Sequence, residues 1–269
     1  MLETDNLIRG ISENGGVVFY GIDSTAIVRE MERLHKTSAV TTAALGRLLT
    51  GAAMMGAMLK SRSDSLTLQI NGGGPAGRLL AVADGDGHVK GYVQNPVVEL
   101  PPLASGEIAE DLTNYFAISE QTPTVCALGV LVNADLSVQC AGGFILQLLP
   151  GATEAEIAHL EKNIAALPQV TAMLAEGKTP EDMMQLALAG FAPEVLDSDT
   201  VTYQCDCSED RVRRMLRSLG RKEVERLREE DPHAEVDCQF CDKVYHIDLG
   251  ELLASWPAAE TDDTASKEK

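Results

Sequence analysis

Four cysteines near the C-terminus carry the chemistry of this sequence. They read Cys205-Asp206-Cys207 and, after 30 intervening residues, Cys238-Gln239-Phe240-Cys241. A C-x-C and a C-x-x-C on separate turns can place four sulfurs around one tetrahedral ion. Zinc suits such a set because it accepts four thiolates and has no redox demand of its own. Ribbon-type zinc sites ordinarily use C-x-x-C at both ends, and the tighter C-x-C departs from that pattern. Two cysteines one residue apart can share a metal, or close a disulfide at the edge of comfortable geometry. The cysteines therefore read as a zinc staple holding a small domain together, as a zinc site that doubles as a redox switch, or as free thiols or disulfides. Spacing alone favours the staple, since most four-cysteine sites are structural. His246 is an alternative ligand, but four available cysteines point to an all-sulfur site.

The rest of the chain must position these residues. It has 269 residues, enough for one large domain and a small one. Hydrophobic residues make up 45% and aromatics only 4%, so the core must be aliphatic and alanine-rich. A formal charge of −19 repels nucleic acid and anionic membrane. The stretch from Ser208 to Glu230 runs the other way, with eight Arg or Lys against six acids. Met1-Leu2-Glu3-Thr4-Asp5 is acidic with no apolar run behind it, so a signal peptide is not expected. Six cysteines in a chain of this length do not make a secreted disulfide framework, and a reducing cytoplasm is expected. Val40 to Leu59 is the most membrane-like stretch. It carries Arg47 and many small residues, which predicts a buried core helix.

The elements follow from periodicity. Val17 to Tyr20 is a short strand, and Ser24 caps a helix from Thr25 to about His35. After the helix at Val40 the period changes to two. Leu66 to Ile70, Arg78 to Ala83 and His88 to Val93 form an antiparallel meander, turned at Asn71-Gly72-Gly73-Gly74-Pro75 and Asp84-Gly85-Asp86-Gly87. The glycine cluster lacks a Gly-Lys-Ser/Thr ending, so it is a turn and not a phosphate loop. The aspartates likewise lack the downstream glutamate of a calcium loop. Leu112 to Ile118 is a helix. Thr124 to Val132 and Ser137 to Leu149 form a hairpin, and a centre at Ala134 would set Cys126 opposite about Gly142. Cys126 and Cys140 lie in these strands, where small hydrophobes need no further role. Helices follow from Thr153 to Leu167, at Val170 to Leu174, and from Thr179-Pro180-Glu181-Asp182, whose cap, proline and acids mark a start. Met183, Met184, Leu186, Leu188 and Phe191 then form an apolar face. It either packs in the ordinary way or is exposed on cue, since methionines suit promiscuous contacts.

The predicted architecture is α+β. A core domain over 1–176 holds an antiparallel sheet with packed helices. A helical linker follows over 177–199, a four-cysteine zinc domain over 200–257, and a disordered tail over 258–269.

Four stretches resemble the redox-regulated heat-shock protein 33 family of bacterial holdase chaperones. They are the Cys205/Cys207 and Cys238/Cys241 signature, Asn114-Tyr115-Phe116 leading to Ser119-Glu120-Gln121-x-Pro123-Thr124, the run Ala141 to Pro150, and the turn Leu68 to Pro75. The resemblance spans residues 5 to about 255 and shows no departure at the signature cysteines. It implies one zinc ion on Cys205, Cys207, Cys238 and Cys241 in a reduced, inactive monomer. It further implies that oxidation forms disulfides among these cysteines, releases zinc and unfolds the linker and zinc domain. Dimers and a surface for unfolding client proteins are the implied result.

The residues allow such a switch. About 58 residues make too small a domain for a robust core. Structural zinc supplies roughly 10–16 kcal/mol to such a module. Local disulfides, Cys205–Cys207 and Cys238–Cys241, would each remove only about 1.6–2 kcal/mol of chain entropy. Pairing across, such as Cys205 with Cys238, would keep the long-range tie. Two rival functions remain. A zinc-ribbon interaction module is one, though the acidic charge argues against a nucleic-acid partner. A thiol-disulfide oxidoreductase is the other, though Cys238-x-x-Cys241 precedes a strand where that chemistry wants a helix. No Ser-His-Asp set, carboxylate cleft or phosphate loop stands out, so an enzyme is not expected.

Overall fold

The computed structural model describes residues 4–98 and 108–256, and the expected tail over 258–269 lies outside them. Contacts divide the chain into two compact units, Met1–Gln204 and Cys205–Lys269.

The first unit is built on a sheet. Its strands are β1 (Asp5–Ile11), β2 (Val17–Asp23), β3 (Ser65–Asn71), β4 (Arg78–Asp84), β5 (His88–Val93), β6 (Thr124–Val132), β7 (Val138–Leu148) and β8 (Glu194–Tyr203). They lie in the order β3-β4-β5-β8-β1-β2-β7-β6. All neighbours are antiparallel except β5 and β8, which meet in parallel only at His88↔Thr202 and Val89↔Tyr203. The meander and the hairpin are present as the alternation predicts.

Helices cover both faces. α1 (Thr25–His35), α2 (Ala39–Gly56) and α3 (Ile108–Ile118) share one core with Leu7, Ile22, Leu79 and Ile145. α4 (Glu154–Ala166), α5 (Val170–Ala175) and α6 (Pro180–Ala187) share the other with Ile8, Phe19, Phe144 and Leu146. Adjacent Leu7 and Ile8 therefore enter opposite cores. That is why β1 shows two successive apolar residues and no clean alternation. α2 is buried along most of its length, which explains its membrane-like composition. Its polar groups are satisfied inside: Thr50 hydrogen-bonds Ser24 at 2.7 Å, and Thr42 hydrogen-bonds Thr37 at 2.6 Å. No helix among the described residues is long and apolar enough to cross a membrane.

The hairpin register corrects one expectation. Cys126 lies opposite Ile145, and Gly142 opposite Gly129. The turn is longer than a centre at Ala134 allows. Asn133 N–H donates to Ser137 O, Leu136 takes a left-handed φ of 71°, and the ladder slips between Leu131 and Val132. That slip is a bulge in the strand.

Residues 177–199 contain α6 and the beginning of β8, both in the first unit. Thr179 and Asp182 form a reciprocal capping box, with Pro180 in the first turn. α6 lies against β1 and β2, and Met183 and Met184 are fully buried there. From Glu194 the chain is strand, pairing with β1 from Asp5↔Val201 to Ile11↔Glu194.

The second unit holds α7 (Glu209–Ser218), α8 (Arg221–Glu230), the hairpin β9 (His233–Asp237) and β10 (Val244–Asp248), and α9 (Leu249–Ala254). Its core is small: Val212, Leu216, Val224, Ile247, Leu249, Leu252 and Leu253 are buried. A core of this size does not hold a module by itself.

Candidate metal centre

Each cysteine pair is set by a local backbone device. Cys205 and Cys207 lie in the extended run before α7, whose first turn is capped by Ser208 Oγ accepting from Arg211 N–H at 3.3 Å. Cys238 and Cys241 form the tip of the β9–β10 hairpin. Cys238 N–H donates to Lys243 O at 2.9 Å, and Asp242 N–H returns to Cys238 O at 2.9 Å. Asp242 takes a left-handed φ of 55°, which folds the tip back tightly enough to aim both thiols one way.

These devices bring all four sulfurs together. They lie within 4.8 Å of one another. Two short approaches cross between the pairs: Cys205 to Cys238 at 3.6 Å and Cys207 to Cys241 at 3.3 Å. Four sulfurs at about 2.3 Å from one zinc would stand about 3.8 Å apart along each edge of a tetrahedron. The donor set and its spacing therefore fit one such ion. His246 lies outside the cluster, with its Nδ1 3.5 Å from Glu235 Oε2.

The thiols differ in environment. Burial pushes Cys205 up to about 11, while the Cys207 backbone N–H bonded to it pulls the other way. Burial also raises Cys241. At Cys207 burial is outweighed by hydrogen bonds, the first from Tyr245 and others from neighbouring cysteines, which bring its thiol down to about 7. Tyr245 Oη donates to Cys207 Sγ at 3.0 Å. Such a donor stabilises the thiolate, the form that binds metal and attacks oxidants. Tyr245 is the site residue that sequence reasoning passed over. It lies on β10, next to Val244. Its signal is alternation: on β10 it shares a face with the fully buried Ile247, two positions along.

Part of the locally basic stretch is neutralised by pairing along its own helices. Arg213 pairs with Glu209 at 2.7 Å, Arg221 with Glu225 at 3.0 Å, and Arg226 with Glu223 at 2.6 Å. Cys126 and Cys140 stand apart in the first unit. Burial raises both thiols, Cys126 to about 12, and Cys140 Sγ contacts Thr171 O at 3.6 Å.

Fold and site together define a two-unit α+β protein whose smaller unit carries a cluster of four cysteines that could hold a metal ion. The family model described as Hsp33 protein matches residues 5–102 and 101–248. The chain belongs to the Hsp33 family. It is 45% identical to the 33 kDa chaperonin of Clostridioides difficile (strain 630), over 93% of this chain and 97% of that protein. The 33 kDa chaperonin of Lachnoclostridium phytofermentans is 42% identical, over 92% and 97%. Among solved structures, the 33 kDa chaperonin of Thermotoga maritima superposes with a TM-score of 0.83 at 31% identity. That match covers 94% of this chain and 98% of the other.

Proposed function

We propose that this protein is a cytoplasmic holdase chaperone whose zinc centre is a redox switch. In the reduced state Cys205, Cys207, Cys238 and Cys241 would hold one zinc ion, and the chain would be an inactive monomer. The observation that carries this reading is the closure of one sulfur cluster by residues at the start of the second unit and at the tip of its hairpin. The small core of that unit needs such a tie. Zinc in this position keeps the sulfurs as thiolates and supplies folding energy of roughly 10–16 kcal/mol.

Oxidation removes the ligands. Two thiolates and one peroxide, with two protons, give one disulfide and two waters; the sulfurs lose two electrons and the peroxide gains them. Local disulfides within each pair would replace a long-range tie by two short loops worth about 1.6–2 kcal/mol each. The second unit then loses its support, and 177–199 is released with it. The apolar underside of α6, Met183 and Met184, and the Ile8 and Phe19 surface beneath it become available to unfolding clients. Dimerisation follows from the same exposure.

The test is light scattering from a heat-unfolding client, with this protein either zinc-loaded and reduced or treated with peroxide under mild heat. Suppression by the oxidised form alone supports the switch. Equal suppression by both, or none by either, returns the cysteines to a structural staple.

A further inference from the structure

β6 ends the sheet, and no strand among the described residues pairs with its outer edge. Leu148 N–H donates to Pro123 O where the β6–β7 pairing begins. Antiparallel alternation then turns the N–H and C=O groups of Thr124, Cys126, Leu128 and Val130 away from β7. Among the described residues no backbone partner meets these outward groups. The strand reads Thr-Val-Cys-Ala-Leu-Gly-Val-Leu-Val, with no charge or proline to discourage pairing.

This edge lies at the bottom of a trough. A cavity of about 680 Å³ takes lining from both faces of β6, Cys126 and Leu128 on one and Val125 and Ala127 on the other. Its walls are α3, at Thr113 and Asn114, and the segment joining α4 to α5. A second cavity of about 370 Å³ shares Val125 and Ile164 with the first and extends it past Leu146 and Leu148. Glu110 on the first and Glu161 on the second are exposed carboxylates, and Arg47 is the cation in the lining.

We propose that this trough binds one extended polypeptide segment as an added strand on β6, apolar at alternate positions and carrying Lys or Arg between them. Four outward backbone pairs supply the main-chain hydrogen bonds, and the two cavities, the second mainly apolar, take alternate side chains. The carboxylates at the rim and the −19 charge of the chain select against acidic segments. A second copy of this chain does not fit. Its own β6 is equally recessed, and two recessed edges cannot approach to the roughly 4.8 Å that strand pairing requires. The inference rests on the holdase reading only in taking the segment to come from an unfolding protein.

The experiment uses the full chain, both zinc-loaded and oxidised, and a fluorescent peptide alternating valine and lysine. Anisotropy should show saturable binding to the wild type in at least one of these states. Methylating alternate peptide nitrogens leaves the side chains in place and removes the donors, and should weaken binding at least tenfold. Asn114→Trp fills the trough from an exposed wall position and should do the same. Cys126→Pro removes an outward N–H that no native bond uses; if it fails to fold, Asn114→Trp decides. Equal binding by the methylated peptide, or by Asn114→Trp, overturns the proposal, as does no wild-type binding in either state. A concentration-dependent dimer abolished by Asn114→Trp overturns it in favour of a second copy. Client light scattering on the same samples separates the two claims. Wild-type suppression that Asn114→Trp retains in full, with peptide binding unaffected, sinks the trough and leaves the holdase reading. Trough-dependent peptide binding without suppression in either redox state sinks the holdase reading and leaves the trough.

Discussion

Cys207 Sγ and Cys241 Sγ lie 3.3 Å apart although 34 positions separate them in the chain. Cys205 and Cys238 repeat the relationship at 3.6 Å across 33 positions. Everything between them, α7, α8 and β9, is closed into one loop by these contacts. The second unit is therefore closed by sulfur contacts as well as by its apolar core.

Removing one ligand should open that loop. In Cys241→Ser, bound zinc should fall from one per chain to well below half. Hydrogen exchange should lose protection across α7 to α9 while the sheet of the first unit keeps it. A structural zinc is worth roughly 10–16 kcal/mol to such a module, so partial retention of protection in α7 to α9 would show that the core alone suffices.

The disulfide pattern decides whether oxidation loosens or tightens the unit. In a tetrahedron every edge is alike, so the short cross distances do not select partners. Local pairing closes loops of three or four residues. Pairing Cys205 with Cys238 closes 34 residues and would restrict the unfolded chain by about 4 kcal/mol. Peptide mapping after peroxide should find Cys205–Cys207 and Cys238–Cys241. A predominance of crossed pairs would refute release by oxidation.

Tyr245→Phe removes the hydroxyl that donates to Cys207. In the zinc-loaded protein, where the second unit is folded, acid should then release zinc at a higher pH than in the wild type, because a proton competes better for a less stabilised thiolate. An unchanged release pH would mean that the hydroxyl does not stabilise the thiolate.

Asp5 gives a pH dependence in the other unit. Its carboxylate accepts N–H groups from Ala26 at 2.9 Å and Ile27 at 2.7 Å at the start of α1. Burial outweighs these bonds and pushes the carboxyl up to about 7. A raised carboxyl pKa means that the folded state holds the proton more tightly than the unfolded chain. Its contribution is complete below about 4 and is lost as pH rises through 7, by up to about 4 kcal/mol. Asp5→Asn cannot ionise. Its stability relative to wild type should therefore improve between pH 5 and pH 8, and a difference independent of pH would refute the assignment.

Sequence spacing made the four-cysteine cluster legible because ligand chemistry is local: two short motifs each fix a turn. The Thr179 capping box, the Asn71–Pro75 turn and the buried character of α2 were legible for the same reason. Non-local pairing was not. β1 was missed because Leu7 and Ile8 serve opposite cores and hide its period. β8 reaches β1 from nearly 190 positions away, and only its last residues, Val201 and Tyr203, are buried. Seven exposed residues from Glu194 to Thr200 gave no apolar pattern from which a strand could be read. The register of β6 and β7 escaped because it depends on a left-handed residue, Leu136, that carries no glycine signal.

The close approach of α6 to β1 uses a missing side chain at Gly10. Met184 packs directly on Gly10, where an added Cβ would collide with the Met184 sulfur and stand 3.0 Å from Glu194 O. Gly10→Ala must displace Met184, the backbone of β8, or both. Overpacking of this kind costs about 1–3 kcal/mol. The cost falls on the segment proposed to be released, so exchange protection should drop first in α6 and the start of β8. Under the switch reading, the reduced, zinc-loaded variant should then suppress client aggregation without peroxide, while its zinc content stays at one per chain. Loss of zinc together with gain of suppression would implicate the metal centre instead. Loosening of α6 with no gain would show that the surface beneath it does not receive clients.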